Sequence, residues 1–312
     1  MDVLNMQTTL PAPGENPSEW DGKDVADLLG LTRISESGFQ TRCAETNEHG
    51  RIYGGQILGQ ALYAASQSVS RDRFASCLQL LFAAGGLPDQ TIDFEVAALQ
   101  DGKRFSARHV RGVQGGGRIV CDAGVALAKA MQSPDHEAPA PADCGLDRDP
   151  EGCARLEDVD APGAREVERT LPHMFQPHRA IDMRAPFVDD LMPSRGRGEP
   201  RMRFWIRLRQ KLAENPALHA SAFAYLSDYW INFAACIAHV RATSERGGTL
   251  YVASLNHAIW FHRALRADEW ALFDCVSPSG AFGRGLTIAR VYSRTGGLVA
   301  SATQECLLSP NA

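Results

Sequence analysis

The feature that most constrains the fold is an internal duplication, because the second half of the chain repeats the order of helix and strand signals in the first. At an offset of 180 residues the halves share two turn glycines and an arginine: Gly116 with Gly296, Gly117 with Gly297, and Arg104 with Arg284. Such a chain is one unit built twice, and each copy must bury the same apolar pattern. The 312 residues also suit two domains, since a domain takes about 150.

Each copy contains one long helix followed by strands. In the first copy the apolar residues from Ile57 to Val69 recur at helical spacing. Four strand-like runs bounded by turn signals follow, over residues 76–82, 91–100, 105–113 and 118–128. In the second copy a strand over 202–208 precedes a single helix, predicted from about Ala217 through Asp228 to Val240. Four further runs follow it, over residues 251–265, 270–279, 285–293 and 298–308.

These strands return through tight turns. A parallel βαβ sheet is the competing architecture, and it needs a helix between successive strands, which the runs after each helix lack. The sequence therefore predicts an α+β fold in which each repeat wraps an antiparallel sheet around one long helix. We expect a flexible tail over 1–20, repeats over 21–131 and 166–312, and an acidic, proline-rich linker over 132–165.

Charge and composition exclude several classes of protein. A net charge of −5 and a pI near 6.0 argue against nucleic acid or an anionic membrane as the main partner. No run approaches the ~18 apolar residues of a membrane span. The first twenty residues lack the basic and apolar regions of a secretion signal, and residues 309–312 are not a peroxisomal address. Eight cysteines without a C-x-x-C pair are typical of reduced thiols, so we expect a cytoplasmic protein.

Motifs of several enzyme classes are missing. The chain has no G-x-S-x-G elbow, no P-loop and no H-E-x-x-H pair. Gly54, Gly55 and Gly59 lack the preceding strand of a dinucleotide-binding motif. We therefore predict neither a cofactor nor a metal.

Three polar residues lie inside apolar elements of the second copy, where the 180-residue offset places Gly124 opposite Gln304. Asp228 is either a helix cap that holds a backbone amide or a general base close to a helix start. Ser254 is either an ordinary strand serine or part of a site. Gln304, if buried, closes a polar network or holds a ligand, because its amide needs several partners. His257, near Ser254, is on its own more often a core residue than a catalyst.

An arginine-rich strand precedes the second helix. Over residues 201–209 apolar side chains alternate with Arg201, Arg203, Arg207 and Arg209, which is typical of a half-buried strand. The arginine face is expected to be solvated or packed against a neighbouring subunit. The alternative is that it supplies cations for phosphates.

The sequence resembles the acyl-CoA thioesterase II family, the double hot-dog thioesterases. The resemblance rests on GRIYGGQILGQALYAASQSV and DGKRFSARHVRGVQ in the first copy, and on AYLSDYW, SLNHAIWFHRALRADEWALFDCVSPS, GRGLTIARVYSRTGGLVAS and TQE in the second. It covers most of the chain outside the linker. It implies two hot-dog repeats and hydrolysis of fatty acyl-CoA to fatty acid and CoA by an activated water. The family's water-binding Asp, Ser or Thr, and Gln fall on Asp228, Ser254 and Gln304.

The resemblance also implies a set of substrate contacts: Gly55, Gln56, Asn256, His257, Phe282 and Arg284. Two regions depart from the family pattern. Residues 76–90 read SCLQLLFAAGGLPDQ and lack the family's histidines and its Arg-Pro-Gly. The second region is residues 280–285, which replace the family's small residues. Phe282 within it is expected to shorten or reshape the acyl tunnel. We expect acyl-CoA as the small-molecule partner and a homo-oligomer, since hot-dog sheets commonly pair.

Two other functions remain open at this point. An acyl-CoA binding or sensing protein with little turnover is motivated by the altered stretch over 76–90, although retention of all three polar residues argues against it. A hot-dog hydratase relies on a G-D-x-N-P-x-H stretch, which this chain lacks.

Overall fold

Thirteen strands of the described chain form one continuous sheet in which neighbouring strands are antiparallel. The computed structural model describes residues 17–159, 162–172, 175–193 and 200–311. The first half contains β1 (Ser18–Glu19), α1 (Val25–Leu29), β2 (Leu31–Arg33), β3 (Gly38–Thr41), β4 (Cys43–Ala44), α2 (Gly54–Gln67), β5 (Arg73–Phe82), β6 (Asp93–Asp101), β7 (Phe105–Gln114) and β8 (Arg118–Lys129). The second half contains β9 (Ala154–Arg155), α3 (Pro162–Thr170), β10 (Ile181–Ala185), β11 (Arg201–Leu208), α4 (Pro216–Ser227), α5 (Phe233–Ser244), β12 (Thr249–Phe261), β13 (Ala271–Ala281), β14 (Arg284–Ser293) and β15 (Leu298–Asn311).

The sheet consists of two halves that join at one seam. Its order is β2-β3-β6-β7-β8-β5-β12-β15-β14-β13-β11-β10-β9, so that β5 pairs with β12 where the repeats meet. Helix α2 packs on the first half, and α5 packs on the second. The predicted α+β double hot-dog fold is confirmed, with an antiparallel sheet around a central helix in each repeat.

The two repeats match at an offset of 179 residues, so the offset of 180 was wrong by one. A bulge interrupts β5 after Ala75 and β12 after Ser254, and α2 and α5 also begin 179 residues apart. Three consecutive glycines over 115–117 let a comparison of the sequences alone slip by one position. Since successive strand residues face opposite sides of a sheet, this slip exchanges the two faces. Val125, and not Gly124, is the counterpart of Gln304.

The long helix predicted from Ala217 to Val240 is two helices. Helix α4 ends at Ser227, α5 begins at Phe233, and the residues between them form turns. Asp and Asn are weak helix formers, because their side chains compete for backbone hydrogen bonds. The break falls on a segment that begins with Asp228 and ends with Asn232, and it turns the Asp228 side chain toward the first repeat.

Close contact between α2 and α4 brings that break to the other repeat. A Cβ added to Gly55 would lie 2.4 Å from the backbone oxygen of Tyr225, and one added to Gly59 would lie 2.8 Å from that of Ser221. Glycines four residues apart lie on one helix face. Because these two positions carry no side chain, the backbones of α2 and α4 approach each other closely along this face. The end of α4 is thereby held beside the start of α2.

The predicted linker carries structure of its own. Strand β9 and the first residues of α3 lie within residues 132–165. Residues 1–16 of the predicted tail lie outside the described ranges, and β1, which follows them, pairs with β4. Acids of the linker pair with the arginine face of β11, as Asp143 does with Arg201 over 2.6 Å. Other arginines of that face bond acids of the second repeat, such as Arg203 with Asp190 over 2.7 Å. The expectation of a solvated or phosphate-binding face was therefore wrong, because acids of the linker and of the second repeat engage these cations.

The helices of the described residues are short, and the cysteines are unpaired. None of the described helices is long and apolar enough to cross a lipid bilayer. All eight cysteines are free, and six of them are buried.

Candidate active site

Asp228, Ser254 and Gln304 meet in one hydrogen-bonded group, which we call the polar trio. Ser254 Oγ donates to Asp228 Oδ1 over 3.0 Å. Gln304 Nε2 donates to the same carboxylate oxygen and to Ser254 Oγ, which lies 2.6 Å away. The side chains come from the end of α4, from β12 and from β15, and only the fold brings them together.

The first turn of α2, from the other repeat, closes the trio beside Asp228. The Gly55 N–H donates to the Asp228 carboxylate, and a Cβ added to Gly54 would lie 2.6 Å from Asp228 Oδ2. The first N–H groups of a helix have no intrahelical partners and carry partial positive charge, so they stabilise a nearby carboxylate. The expected helix start is thus present but belongs to the first repeat, whereas Asp228 is the C-cap of α4.

A β-bulge in β12 aims Ser254 into the site. Ser254 pairs with Cys306 and Asn256 with Glu305, so one extra residue of β12 lies between the two pairs. Without the bulge, residues three apart would face opposite sides of the sheet; with it, Ser254 and His257 both face the interior. The serine therefore reaches Asp228 from the same face as Gln304.

Burial raises the pKa of Asp228 to about 7. Hydrogen bonds from Gln304, from Ser254 and from the Gly55 backbone act in the opposite direction, because they stabilise the ionised carboxylate. Only 6% of the Asp228 surface is exposed. Because burial and these hydrogen bonds together leave its pKa near 7, the carboxylate can accept and release a proton near neutral pH, which is what a general base requires.

Three residues around the trio were not predicted from the sequence. Asn232 Nδ2 donates to Ser254 Oγ over 3.4 Å. Tyr53, the residue before α2, donates its hydroxyl to the Tyr225 backbone over 3.2 Å and so ties the two repeats beside the trio. Ser227 contacts His257 Nε2 over 3.0 Å. Ser227 and Asn232 were detectable as further polar residues in the apolar segment around Asp228, whereas no sequence signal marks Tyr53.

Of the predicted substrate contacts, Gly55 lies at the site, whereas Gln56 and His257 are buried in the protein interior. Gln56 is fully buried, and its amide bonds the backbone of Cys43 and Glu45 over 2.8 Å each, so it braces α2 against β4. His257 is also buried and lies behind the trio, with Nδ1 4.0 Å from Asp228 Oδ1. Neither side chain presents a free group to a substrate.

Asn256 and Arg284 lie on the opposite face of the sheet from the trio. Asn256 Nδ2 donates to Glu305 Oε2 over 3.1 Å, and Arg284 pairs with the other oxygen of Glu305 over 3.3 Å. Strand alternation accounts for this, since Asn256 is adjacent to the inward-facing His257. The two predicted contacts therefore stabilise the outer surface.

Phe282 lies at the tip of the β13–β14 hairpin and is 96% exposed. Its φ of 52° is in the left-handed region, next to Gly283 with φ 73°, which together match a tight hairpin turn. The expectation that Phe282 shortens an acyl tunnel was therefore wrong for this chain, because the ring contacts solvent.

The altered stretch over 76–90 borders the start of α2. The Phe82 ring lies 3.2 Å from a Cβ added to Gly54, on the side of Asp228. Gly85 and Gly86 are covered by the side chains of Arg51 and Ile52, each 3.1 Å from an added Cβ. The stretch thus contributes an aromatic ring beside the trio, followed by small residues.

Two surface clefts lie away from the trio. One, of about 630 Å³, is formed by β3, β6 and β7, and the other, of about 560 Å³, lies between the linker and the residues after β10. Within the described ranges, no group of three or more His, Cys, Asp or Glu side chains is arranged to hold a metal ion.

Comparison with protein families gives two matches. A model described as the acyl-CoA thioesterase N-terminal domain matches residues 44–128. A model described as the acyl-CoA thioesterase C-terminal domain matches residues 150–308. The second match begins inside the predicted linker and includes β9.

Whole-chain relatives extend this similarity. Acyl-coenzyme A thioesterase 8 of Homo sapiens is 30% identical over 300 residues, which cover 94% of this chain and 91% of that protein. Acyl-CoA thioesterase 2 of Haemophilus influenzae is 27% identical over 289 residues, covering 91% and 96%. The crystal structure of an acyl-CoA thioesterase II from Mycobacterium marinum matches with a TM-score of 0.73 and 29% identity, over 93% of this chain and 99% of that one. The similarity therefore spans both repeats.

Proposed function

The chain is a thioester hydrolase that belongs to the acyl-CoA thioesterase II family, and from that premise we propose that it hydrolyses fatty acyl-CoA through a water activated by Asp228. One observation carries the proposal. A buried carboxylate with a pKa near 7 accepts hydrogen bonds from Ser254 and Gln304 and lies against the start of a helix from the other repeat.

The carboxylate has two chemically different oxygens. Oδ1 accepts from Ser254 and Gln304, whereas Oδ2 faces the first turn of α2. In our proposal Oδ2 takes the proton of the attacking water, while Ser254 and Gln304 fix the carboxylate and thereby set the direction from which the water approaches. A thioester carbonyl is electrophilic, so one oriented water suffices and no covalent nucleophile is needed.

The bond changes follow from this arrangement. The water oxygen bonds to the carbonyl carbon as its proton moves to Asp228, and the carbonyl π electrons become an oxyanion. The oxyanion then collapses, the C–S bond breaks, and the CoA thiolate leaves as the protonated Asp228 or solvent returns a proton. For the oxyanion we propose backbone N–H donors of the first α2 turn, with Gly54 N–H first, since these point out of the helix end.

A panel of short-, medium- and long-chain acyl-CoA, each mixed with the protein and a thiol reagent, tests the proposal. We expect release of free CoA from at least one member. Tight binding of acyl-CoA without release across the panel would instead assign the chain to acyl-CoA binding or sensing.

We also propose a homo-oligomer, supported by apolar side chains on the outer face of the sheet near the seam. Leu81 on β5 is 55% exposed. Trp260 on β12, the strand paired with β5, and Ile288 on β14, two strands further along the sheet, are exposed as well. Light scattering should give a mass above that of one chain, and Leu81→Asp should lower it. A single-chain mass at micromolar concentration contradicts this proposal.

A further inference from the structure

Gln304 holds the polar trio together, yet one end of its own amide has no assigned partner. Nε2 donates to Asp228 and Ser254, so both amide hydrogens are used. Oε1 is buried and accepts no assigned hydrogen bond. A buried acceptor without a donor is strongly unfavourable, so a neighbouring group should donate to it.

Two cross-strand neighbours flank Gln304 on the inner face of the sheet. His257 pairs with it from β12 and Thr287 from β14, and all three side chains are at most 1% exposed. His257 Nδ1 and Thr287 Oγ1 also lack assigned partners. Among the described residues these two groups are the unpartnered cross-strand neighbours that can donate to Gln304 Oε1.

The hydrogen-bond pattern around His257 favours the imidazole. If the ring proton were on Nε2, it would bond Ser227, and the Nδ1 lone pair would face the Gln304 amide oxygen and the carboxylate 4.0 Å away. Three acceptors would then face one another in a buried place. With the proton on Nδ1, Ser227 turns its hydroxyl hydrogen from the Ala224 backbone oxygen, 2.8 Å away, to His257 Nε2, 3.0 Å away. Nδ1–H is then the donor to the Gln304 amide oxygen, so both of these atoms gain the partner they lack.

We propose that His257 is the neutral Nδ1–H tautomer and a positioning residue. Its Nδ1–H donates to Gln304 Oε1 and so keeps Gln304 Nε2 turned toward Asp228 and Ser254. A chain of donors then runs in one direction from Ser227 through His257 and Gln304 to Asp228. Its kinetic consequence rests on the proposed function, whereas the tautomer does not.

The electrostatics agree with a neutral ring. Burial lowers the pKa of His257 to about 4, and its interaction with the Gln304 side chain acts in the opposite direction. The charged group that faces the ring is the Asp228 carboxylate, and Ser227 of α4 and Gln304 of β15 are neutral. A flipped Gln304 amide would turn Oε1 against that carboxylate and remove donors from it, which disfavours the ionised base.

The tautomer is measured directly in the wild-type protein. ¹⁵N-histidine labelling and long-range ¹H–¹⁵N spectra identify which ring nitrogen of His257 carries the proton, with His257→Asn used to assign the signals. We expect Nδ1–H between pH 6 and 8. An Nε2–H ring would overturn the proposal whether or not the protein hydrolyses thioesters.

Two substitutions separate the ring nitrogens by function. In His257→Asn the amide nitrogen takes the place of Nδ1, and in His257→Gln it takes the place of Nε2. We expect His257→Asn to keep kcat within about threefold, and His257→Gln to lose about tenfold in kcat at unchanged KM, with the acid limb of the pH–rate profile moved to higher pH. Equal losses in both variants contradict the proposal.

Thr287→Val supplies the matched control, because it removes the competing donor at nearly constant volume. We expect kcat and the pH–rate profile of this variant to be unchanged. A tenfold loss in Thr287→Val with normal rates in both His257 variants would assign the donor to Thr287. Absence of thioesterase activity from wild type and variants alike would reject the proposed function and leave the tautomer to be decided by the spectra.

Discussion

The two repeats share one architecture and supply different parts of the site. The second repeat provides Asp228, Ser254 and Gln304, while the first provides the start of α2. At the 179-residue offset the first repeat has Ala75 where the second has Ser254, and Val125 where it has Gln304. The comparison teaches that a duplicated fold has room for two mirrored sites and that this chain has built one of them.

The equivalent position in the other half of the molecule has different residues both on its helix and on its sheet. Helix α5 begins with Phe233 and Ala234 where α2 begins with Gly54 and Gly55, so its first turn carries side chains where that of α2 has none. Leu78, the counterpart of His257, is fully buried and apolar, as is Val125. The first repeat therefore contributes a helix end to the candidate site, and the second contributes its polar side chains.

The largest expected effect comes from removing the carboxylate of the second repeat. Asp228→Asn should lower kcat by about 10²–10⁴-fold, the usual contribution of a general base. Asp122→Asn, which removes a carboxylate of the first repeat that bonds His109, is the matched control and should leave the rate unchanged. Unchanged turnover in Asp228→Asn would refute the assignment of the base.

The contribution of the first repeat is tested at the start of α2. Gly54→Ala places a Cβ in the space of Asp228 Oδ2, and a displacement of about 1 Å can cost about 100-fold in kcat. Gly124→Ala is the control, since a Cβ there meets nothing within 4 Å. Normal activity in Gly54→Ala would show that the first repeat does not contribute to the site in this way.

The pH–rate profile tests the counterpart pair Gln304 and Val125. Because the pKa of Asp228 is about 7, wild-type activity should rise with pH through neutrality as the base loses its proton. Gln304→Val copies the first repeat and removes a donor to the carboxylate, so the rising limb should move up by about one pH unit and kcat should fall about tenfold. Thr303→Val, on the outer face, should change neither quantity. A rate that is flat between pH 6 and 8 in the wild type contradicts the role of Asp228.

Exchanging the bulge residues gives a smaller effect. Ser254→Ala should lower kcat about tenfold, because the carboxylate loses one of its hydrogen bonds. The reciprocal change, Ala75→Ser, should create no second active site, since the first repeat lacks the other polar side chains. Full activity in Ser254→Ala would remove the serine from the proposed trio.

The smallest effect is on stability. The pKa of Asp228 is higher in the folded chain than the ordinary value of an Asp side chain, so its contribution to stability is present at low pH and is lost as pH rises through about 7. From pH 6 to 8 the wild type should therefore lose about 1 kcal/mol of unfolding free energy relative to Asp228→Asn. Urea unfolding at the two pH values measures this difference, and parallel curves for the two proteins would mean that Asp228 does not titrate in this range.

Local patterns in the sequence determined the fold class, the duplication and the members of the polar trio. Apolar runs between turn residues predicted the strands, and polar groups in apolar surroundings predicted the trio. These signals are readable because burial selects side chains by polarity within a few residues of chain. The same reasoning failed at the break after Ser227, where helix propensity competes with a contact to another repeat.

Only the tertiary structure decided the register of the repeats, the partner of Asp228 and the faces of Asn256 and Arg284. Each depends on a one-residue bulge or on a contact between segments far apart in sequence, such as Gly54 with Asp228. A slip of one residue in a strand leaves its composition unchanged and yet exchanges the buried and exposed faces. The residue types of the candidate site could therefore be predicted from the sequence, whereas its assembly from two repeats followed from packing.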